Sequence, residues 1–159
     1  MATNKQKSAA LALATAIAIP AEGLRQWAYY DPPGILTVCY GSTTNVQKNF
    51  LYSIAECKLR LNTDMVAAIN TVDKCVPGLP VNVLAAFGDA VYNIGPTIAC
   101  SQKNSTAARM LKVGDIKGAC KQILRWNKAK VAGLMVPLPG LTKRRNTEFE
   151  VCISSEKTA

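Results

Sequence analysis

Between Glu22 and Thr44 the chain can do little but leave a helix, turn sharply and return as a strand. The stretch reads EGLRQWAYYDPPGILTVCYGSTT, and Glu22 closes an apolar, helix-patterned run. Asp31 stands nine positions later, just before Pro32-Pro33-Gly34. Two prolines followed by glycine read as a turn, since proline presets φ and glycine takes the left-handed conformation at little cost. Thr37 falls six positions further on, inside the β-branched and aromatic run at 35–40, which reads as a strand. This order places one carboxyl at a helix end, a second on a hairpin facing it, and a hydroxyl beside the second. A glycosidase needs that equipment: an acid for the leaving oxygen and a carboxylate that handles water or the sugar cation. Spacing alone does not establish it, because two carboxylates nine apart are usually surface charges.

Composition narrows the chemistry by elimination. The chain of 159 residues contains no histidine. A Ser-His-Asp or Cys-His hydrolase therefore lacks its base, and a His-ligated zinc amidase or peptidase lacks its ligands. Of ten carboxylates, Glu22 and Asp31 are the two that flank a Gly/Pro turn early in the chain. If the protein is an enzyme, carboxylate chemistry is the favoured option, with no cofactor or metal. A carboxyl at the C-terminal end of a helix meets partial negative charge and apolar neighbours, both of which favour its neutral, proton-donating form.

The remaining pattern describes one α+β domain. Residues 8–23 read as an Ala-rich helix, perturbed by Pro20 and stopped by Gly23. A small β-lobe follows over 28–45. Ser53-Ile54-Ala55-Glu56 is a capping box. It starts a long helix whose stripe of Ile54, Cys57, Leu61, Met65, Ala68 and Val72 keeps the helical period. The break at 76–80 leads into an apolar core helix at 81–94. Ser105 and Asp115 read as N-caps for helices at 106–112 and 116–127, and 136–140 as a constrained loop. Thr142 is expected to cap a last helix to about Ser154.

A net charge of +9 admits nucleic acid, an anionic membrane or an anionic polymer as partner. The densest basic cluster is Lys143-Arg144-Arg145, and no basic motif is interleaved with aromatics, so no nucleic acid is expected. Six cysteines, widely spaced and without a C-x-x-C, speak for disulfides and an oxidising compartment. Six allow fifteen connectivities, and free thiols in a cytosolic protein are the alternative. Lys5 and Lys7 precede fourteen uncharged residues at 8–21, too short and too rich in alanine for an ordinary membrane span. Three readings stay open: a plain core helix, a cleaved signal peptide, or a weak, uncleaved signal-anchor that later leaves the bilayer. Cleavage after Ala21 would remove the helix that carries Glu22.

Glu, eight residues, Asp, five residues, Thr and then V-C-Y-G resembles the catalytic signature of phage-type lysozymes, the endolysins of tailed phages. The resemblance continues in order through A-E-C at 55–57, Y-N-I-G at 92–95, S-T-A-A-R-M-L at 105–111 and G-D-I-K-G-A-C at 114–120. It closes with R-W at 125–126, V-P-L-P-G-L-T-K-R-R at 136–145 and E-F-E-V-C at 148–152, covering about residues 20 to 153. It implies a lysozyme-like single domain over 1–159: an apolar N-terminal helix or signal-anchor at 1–21, a β-lobe with the catalytic residues at 22–52, a connecting helix at 53–75 and a helical lobe at 76–159.

The resemblance also implies a muramidase that hydrolyses the β-1,4 bond between N-acetylmuramic acid and N-acetylglucosamine, with inversion, for host-cell lysis and phage release. Glu22 would be the general acid, Asp31 the ionised carboxylate and Thr37 the hydroxyl that holds water or that carboxylate. Tyr92, Asn93 and Ser105 are the implied substrate-binding residues, with a core contact, a helix-end amide and a plain cap as their structural alternatives. Trp126 reads as core rather than as a sugar platform. Arg144 and Arg145 either contact wall anions or pair with Glu148. Sequential disulfides Cys39–Cys57, Cys75–Cys100 and Cys120–Cys152 are implied, as are a monomer, peptidoglycan as partner and a transient inner-membrane contact through 8–21. The implied location is the host periplasm, reached by signal-anchor or with a holin. One departure stands out: relatives commonly carry Gly-His-Thr where this chain has Gly41-Ser42-Thr43. The rival readings are a lytic transglycosylase on the same bond, a chitinase, and a non-enzymatic basic protein that disrupts membranes.

Overall fold

The computed structural model describes residues 1–157. Helix α1 spans Asn4–Glu22 and begins earlier than its alanine run, because Thr3 and Gln6 form a capping box that satisfies the first N–H groups. Its buried residues Ala10, Ala14, Ile17 and Ala18 keep helical spacing on one face. Small side chains there let α1 lie close against its neighbours. At its start the Ala2 N–H donates to Asp73 Oδ1 at 3.0 Å, and Lys7 Nζ lies 3.6 Å from Asp73 Oδ2.

Strand β1 (Arg25–Tyr30) and strand β2 (Leu36–Cys39) form an antiparallel hairpin with Tyr29 opposite Thr37 and Tyr30 opposite Leu36. Helix α2 (Ile54–Cys75) starts at the expected Ser53–Glu56 capping box and runs from the hairpin into the helical body. Helix α3 (Val81–Ile94) is buried along most of its length and packs against α1 and α2. The short helices α4 (Thr97–Cys100), α5 (Thr106–Lys112) and α6 (Ile116–Ile123) follow.

The lobe over 76–159 is mostly helical as expected, and it departs from the expected helix boundaries in one segment. Helix α6 ends at Ile123, and 128–137 is a second hairpin, strand β3 (Lys128–Val131) paired antiparallel with strand β4 (Leu134–Pro137). Ala132 and Gly133 both have positive φ, 51° and 83°, as a two-residue hairpin turn of matching twist requires. Helix α7 (Pro139–Lys157) then starts three residues before Thr142. Pro139 is suited to a first helical position, where no N–H is needed. Thr142 is inside the helix, and its hydroxyl accepts from Asn127 Nδ2 at 2.9 Å instead of capping. Residues 158 and 159 of the expected lobe lie outside the described residues. Helix α7 packs on α3, and the core is shared by α1, α2, α3 and α6 with Val38, Tyr40 and Tyr52 of the β-lobe.

All six cysteines are paired, in the sequential order that the resemblance implied. Cys39–Cys57 ties the end of β2 to the first turn of α2, Cys75–Cys100 ties α2 to α4, and Cys120–Cys152 ties α6 to α7.

Candidate active site

Glu22 is the last residue of α1. Gly23 follows at φ 72°, a conformation that costs glycine little, and its N–H still reaches Ile19 O at 3.2 Å. The helix therefore stops with Glu22 at the entrance to the β-lobe. Asp31 follows β1 directly. Its N–H donates to Ile35 O at 3.0 Å, its Oδ1 accepts from Ile35 N at 2.7 Å, and its carbonyl accepts from Gly34 N at 2.8 Å. The Pro-Pro-Gly turn is thus closed through the Asp31 side chain, whose Oδ1 is the oxygen engaged there. Thr37, 3% exposed, donates its hydroxyl hydrogen to Ile35 O at 2.9 Å, so its oxygen is left as an acceptor.

These three residues share one cleft. Glu22, Asp31 and Thr37 line one cleft of about 330 Å³ with Tyr29, Gly41, Thr43, Tyr92 and Asn93. Gly41 has φ 88°, and a Cβ there would stand 3.0 Å from Glu22 Oε2. Glycine is what lets the β-lobe backbone close over the Glu22 carboxyl. A larger hollow of about 600 Å³ beside β4 and α7, lined by Pro137, Leu138, Thr142, Lys143, Thr147 and Glu150 among others, offers one carboxylate and no partner for it.

Behind Glu22 stands a buried charge cluster that the sequence reading did not assemble. Arg144 of α7 donates from Nε and Nη2 to the two oxygens of Asp89 on α3, at 2.9 and 2.8 Å, and from Nη1 to Glu22 Oε1 at 2.5 Å. Burial works against the Arg144 charge, but Asp89 and then Glu22 outweigh it and hold the guanidinium above its ordinary range. Arg145, fully buried, donates from Nη2 to Glu148 Oε1 at 2.7 Å and to Asn93 Oδ1 at 2.8 Å. Neither arginine is placed to meet wall anions. The pairing expected with Glu148 holds for Arg145, whereas Arg144 serves Asp89 and Glu22. Asp89 carried a signal: an aspartate within Ala-Ala-Phe-Gly-Asp-Ala-Val is rarely buried unless a cation meets it.

Tyr92 and Asn93 both face the cleft. The Tyr92 hydroxyl donates to the Tyr40 carbonyl, fastening α3 to the β-lobe. Burial, and then the neighbouring Glu22 charge, push the Tyr92 phenol above its ordinary range. Ser105 corrects an expectation. It is 1% exposed, caps α5 by accepting from Ala108 N at 3.1 Å, and donates to Ile98 O at 2.7 Å. Both capacities are spent inside the fold, and Ser105 is not among the cleft residues. Trp126 packs partly buried against the core, as expected. At the Gly41-Ser42-Thr43 departure, Arg60 of α2 donates to Ser42 Oγ at 3.2 Å, Thr44 O at 2.6 Å and Asn45 O at 2.9 Å. A cation reaching in from α2 thus braces the loop where relatives commonly place an imidazole.

Comparison with known proteins bears on the family and the fold. Residues 20–148 match the family described as phage lysozyme. The chain is 37% identical over 134 residues to the SAR-endolysin of Bacteriophage PS119, an alignment that spans 83% of this chain and 76% of that one. The structure superposes on the active form of P1 phage endolysin Lyz with a TM-score of 0.78 at 19% identity, covering 91% of this chain and 84% of that one. It superposes on the endolysin of Escherichia coli O157:H7 phage FAHEc1 with a TM-score of 0.74 at 26% identity, covering 98% and 94%. The fold is lysozyme-like, and the chain belongs to the phage lysozyme family, whose members are enzymes that degrade the bacterial cell wall.

Proposed function

We propose that this cleft hydrolyses the β-1,4 bond between N-acetylmuramic acid and N-acetylglucosamine in peptidoglycan, with inversion at the sugar carbon. The observation that carries the reading is that Glu22 and Asp31, from a helix end and a hairpin turn, line one cleft with Thr37. Arg144 occupies Glu22 Oε1, so Oε2 is the oxygen left to deliver a proton to the leaving sugar. Asp89 takes two of the Arg144 N–H groups, so the guanidinium is matched from behind. Glu22 can then be neutral without stranding a buried cation. Asp31, with Oδ1 held by Ile35 N, keeps its other oxygen for the oxocarbenium-like charge or the attacking water. The Thr37 oxygen accepts a hydrogen bond from that water. Asn93, its carbonyl oxygen held by Arg145, presents its amide N–H groups to the sugar's acetamido and hydroxyl oxygens.

The biological setting is host-cell lysis from the periplasm, a proposal that draws on the similarity to SAR-endolysins and on three disulfides that persist in an oxidising compartment. Among the described residues no helix is long and apolar enough to cross a membrane by the usual hydropathy measure. Any stay of residues 8–21 at a bilayer would take Ala10, Ala14 and Ile17 out of the core and Glu22 away from Arg144. A membrane-held chain would be inactive until α1 docks.

Fragments released from purified peptidoglycan, read by mass spectrometry with the first-formed anomer read by NMR, test the chemistry. The reading expects reducing N-acetylmuramic acid ends that appear first as the α-anomer. Anhydro ends would mean internal attack, as in a lytic transglycosylase. A β-anomer first would mean retention. Efficient cleavage of peptide-free chitin would move the substrate class.

A further inference from the structure

The cluster behind Glu22 contains one group that the proposed chemistry does not use. Glu148 on α7 is fully buried, and only its Oε1 meets a donor, Arg145 Nη2. Oε2 has no donor to accept from. Yet Glu148 is within hydrogen-bond reach of the Asp89 carboxyl. Two carboxylate oxygens can share that contact only if one of them carries a hydrogen. Glu148 Oε2 is also closed off from solvent, so water cannot supply the missing donor. Asp89 is spoken for by two N–H groups of Arg144, so the proton falls to Glu148. Burial pushes the Glu148 carboxyl well above the ordinary carboxylate range, the bond to Asp89 adds to this, and Arg145 opposes it.

We propose that Glu148 is a positioning residue for the reaction: neutral, it donates the hydrogen on Oε2 to Asp89, holds that carboxylate square across Arg144, and so keeps Arg144 Nη1 on Glu22. The relay runs Glu148, Asp89, Arg144, Glu22, through α7, α3, α7 and α1. It rests on Glu22 being the proton donor. The charged groups that face Glu148 are Asp89 from α3 and Arg144 and Arg145 from its own helix, with Glu22 of α1 beyond Arg144. Helix α6 meets α7 one turn further on, through Cys120–Cys152. Loss of the Glu148 proton would set two carboxylates against each other and loosen Arg144. Activity should therefore fall on the alkaline side.

The sign for stability follows from linkage. A carboxyl whose proton is held more tightly in the folded state loses its stabilising share as pH rises from its ordinary range toward the raised one.

The test compares wild type, E148Q and E148A on purified peptidoglycan from pH 5 to pH 9, with thermal unfolding at each pH and E22Q alongside. Glutamine supplies the same donor to Asp89 at every pH. We expect E148Q to keep the wild-type rate at pH 6 within about twofold, to retain activity further into the alkaline range, and to lose one proton from the pH dependence of unfolding. E148A, where folded, should fall roughly ten- to a hundredfold in kcat with little change in KM. The proposal is overturned if E148Q is as impaired as E148A, or if the E148Q pH curves overlay those of wild type. The second comparison decides even if E148A does not fold. Full activity of E22Q would instead refute the reading of Glu22, and the unfolding curves of E148Q would still report on the Glu148–Asp89 proton.

Discussion

Replacing Arg144 by methionine removes a cation that serves two carboxylates of different standing. Asp89 is 0% exposed and accepts two of the three Arg144 hydrogen bonds, whereas the Glu22 side chain is 22% exposed. Glu22 can regain water when the guanidinium goes, so little of the loss comes from there. Asp89 cannot. A buried charge left without its partner costs about 3–5 kcal/mol. For a domain of this size that is a fall of roughly 6–20 °C in Tm, at about 2–4 °C per kcal/mol. Adding D89N replaces the stranded charge with an amide, and the double variant should recover at least about 2 kcal/mol relative to the sum of the single changes. Calorimetric or circular-dichroism melts of wild type, R144M, D89N and the double variant close the cycle. A loss below about 1 kcal/mol in R144M, or additivity across the cycle, would refute the view that Asp89 depends on Arg144.

Three further outcomes follow from single contacts. G41A combines a left-handed backbone, about 1–2 kcal/mol for a residue with Cβ, with a Cβ crowding Glu22 Oε2; its activity on purified wall should fall more than about tenfold while the protein stays folded. Tyr92 should stay protonated beyond the ordinary tyrosine range, so alkaline absorbance titration of wild type shows a late step that Y92F lacks. The stability that Tyr92 contributes is intact below its ordinary range and is lost as pH rises above about 10. Removing Cys120–Cys152, which closes a separation of 32 residues, as C120A/C152A should cost about 3–4 kcal/mol in chemical denaturation. An unchanged midpoint would show that α6 and α7 need no tether.

What was legible in the sequence was local. The Pro-Pro-Gly turn, the alternation after it and the Ser53–Glu56 box each work within a few residues, so Glu22, Asp31 and Thr37 could be set on a helix end, a turn and a strand. The start of α1 was legible too, since Thr3 and Gln6 carry the same box pattern, but the alanine run drew the boundary inward. The second hairpin was not read because Lys-Ala-Lys-Val is short and continues the preceding helical pattern; its signal was the Ala132-Gly133 turn. Ser105 was placed on the substrate by likeness, and its cap geometry decides otherwise. The cluster behind Glu22 was the hardest part. Its bonds join residues 55 and 122 positions apart, and no local pattern pairs Arg144 with Asp89 and Glu22 at once.

The central claim is that a proton from Glu22 cleaves a sugar bond while Asp31, across the cleft, remains charged. Its most direct measurement is the initial rate of turbidity loss of purified, lipid-free peptidoglycan by wild type, E22Q and D31N, each shown folded by its melt. Both variants should fall by at least about a hundredfold. Retention of most of the wild-type rate by E22Q would contradict the account, because lysis would then come from something other than carboxyl chemistry in this cleft.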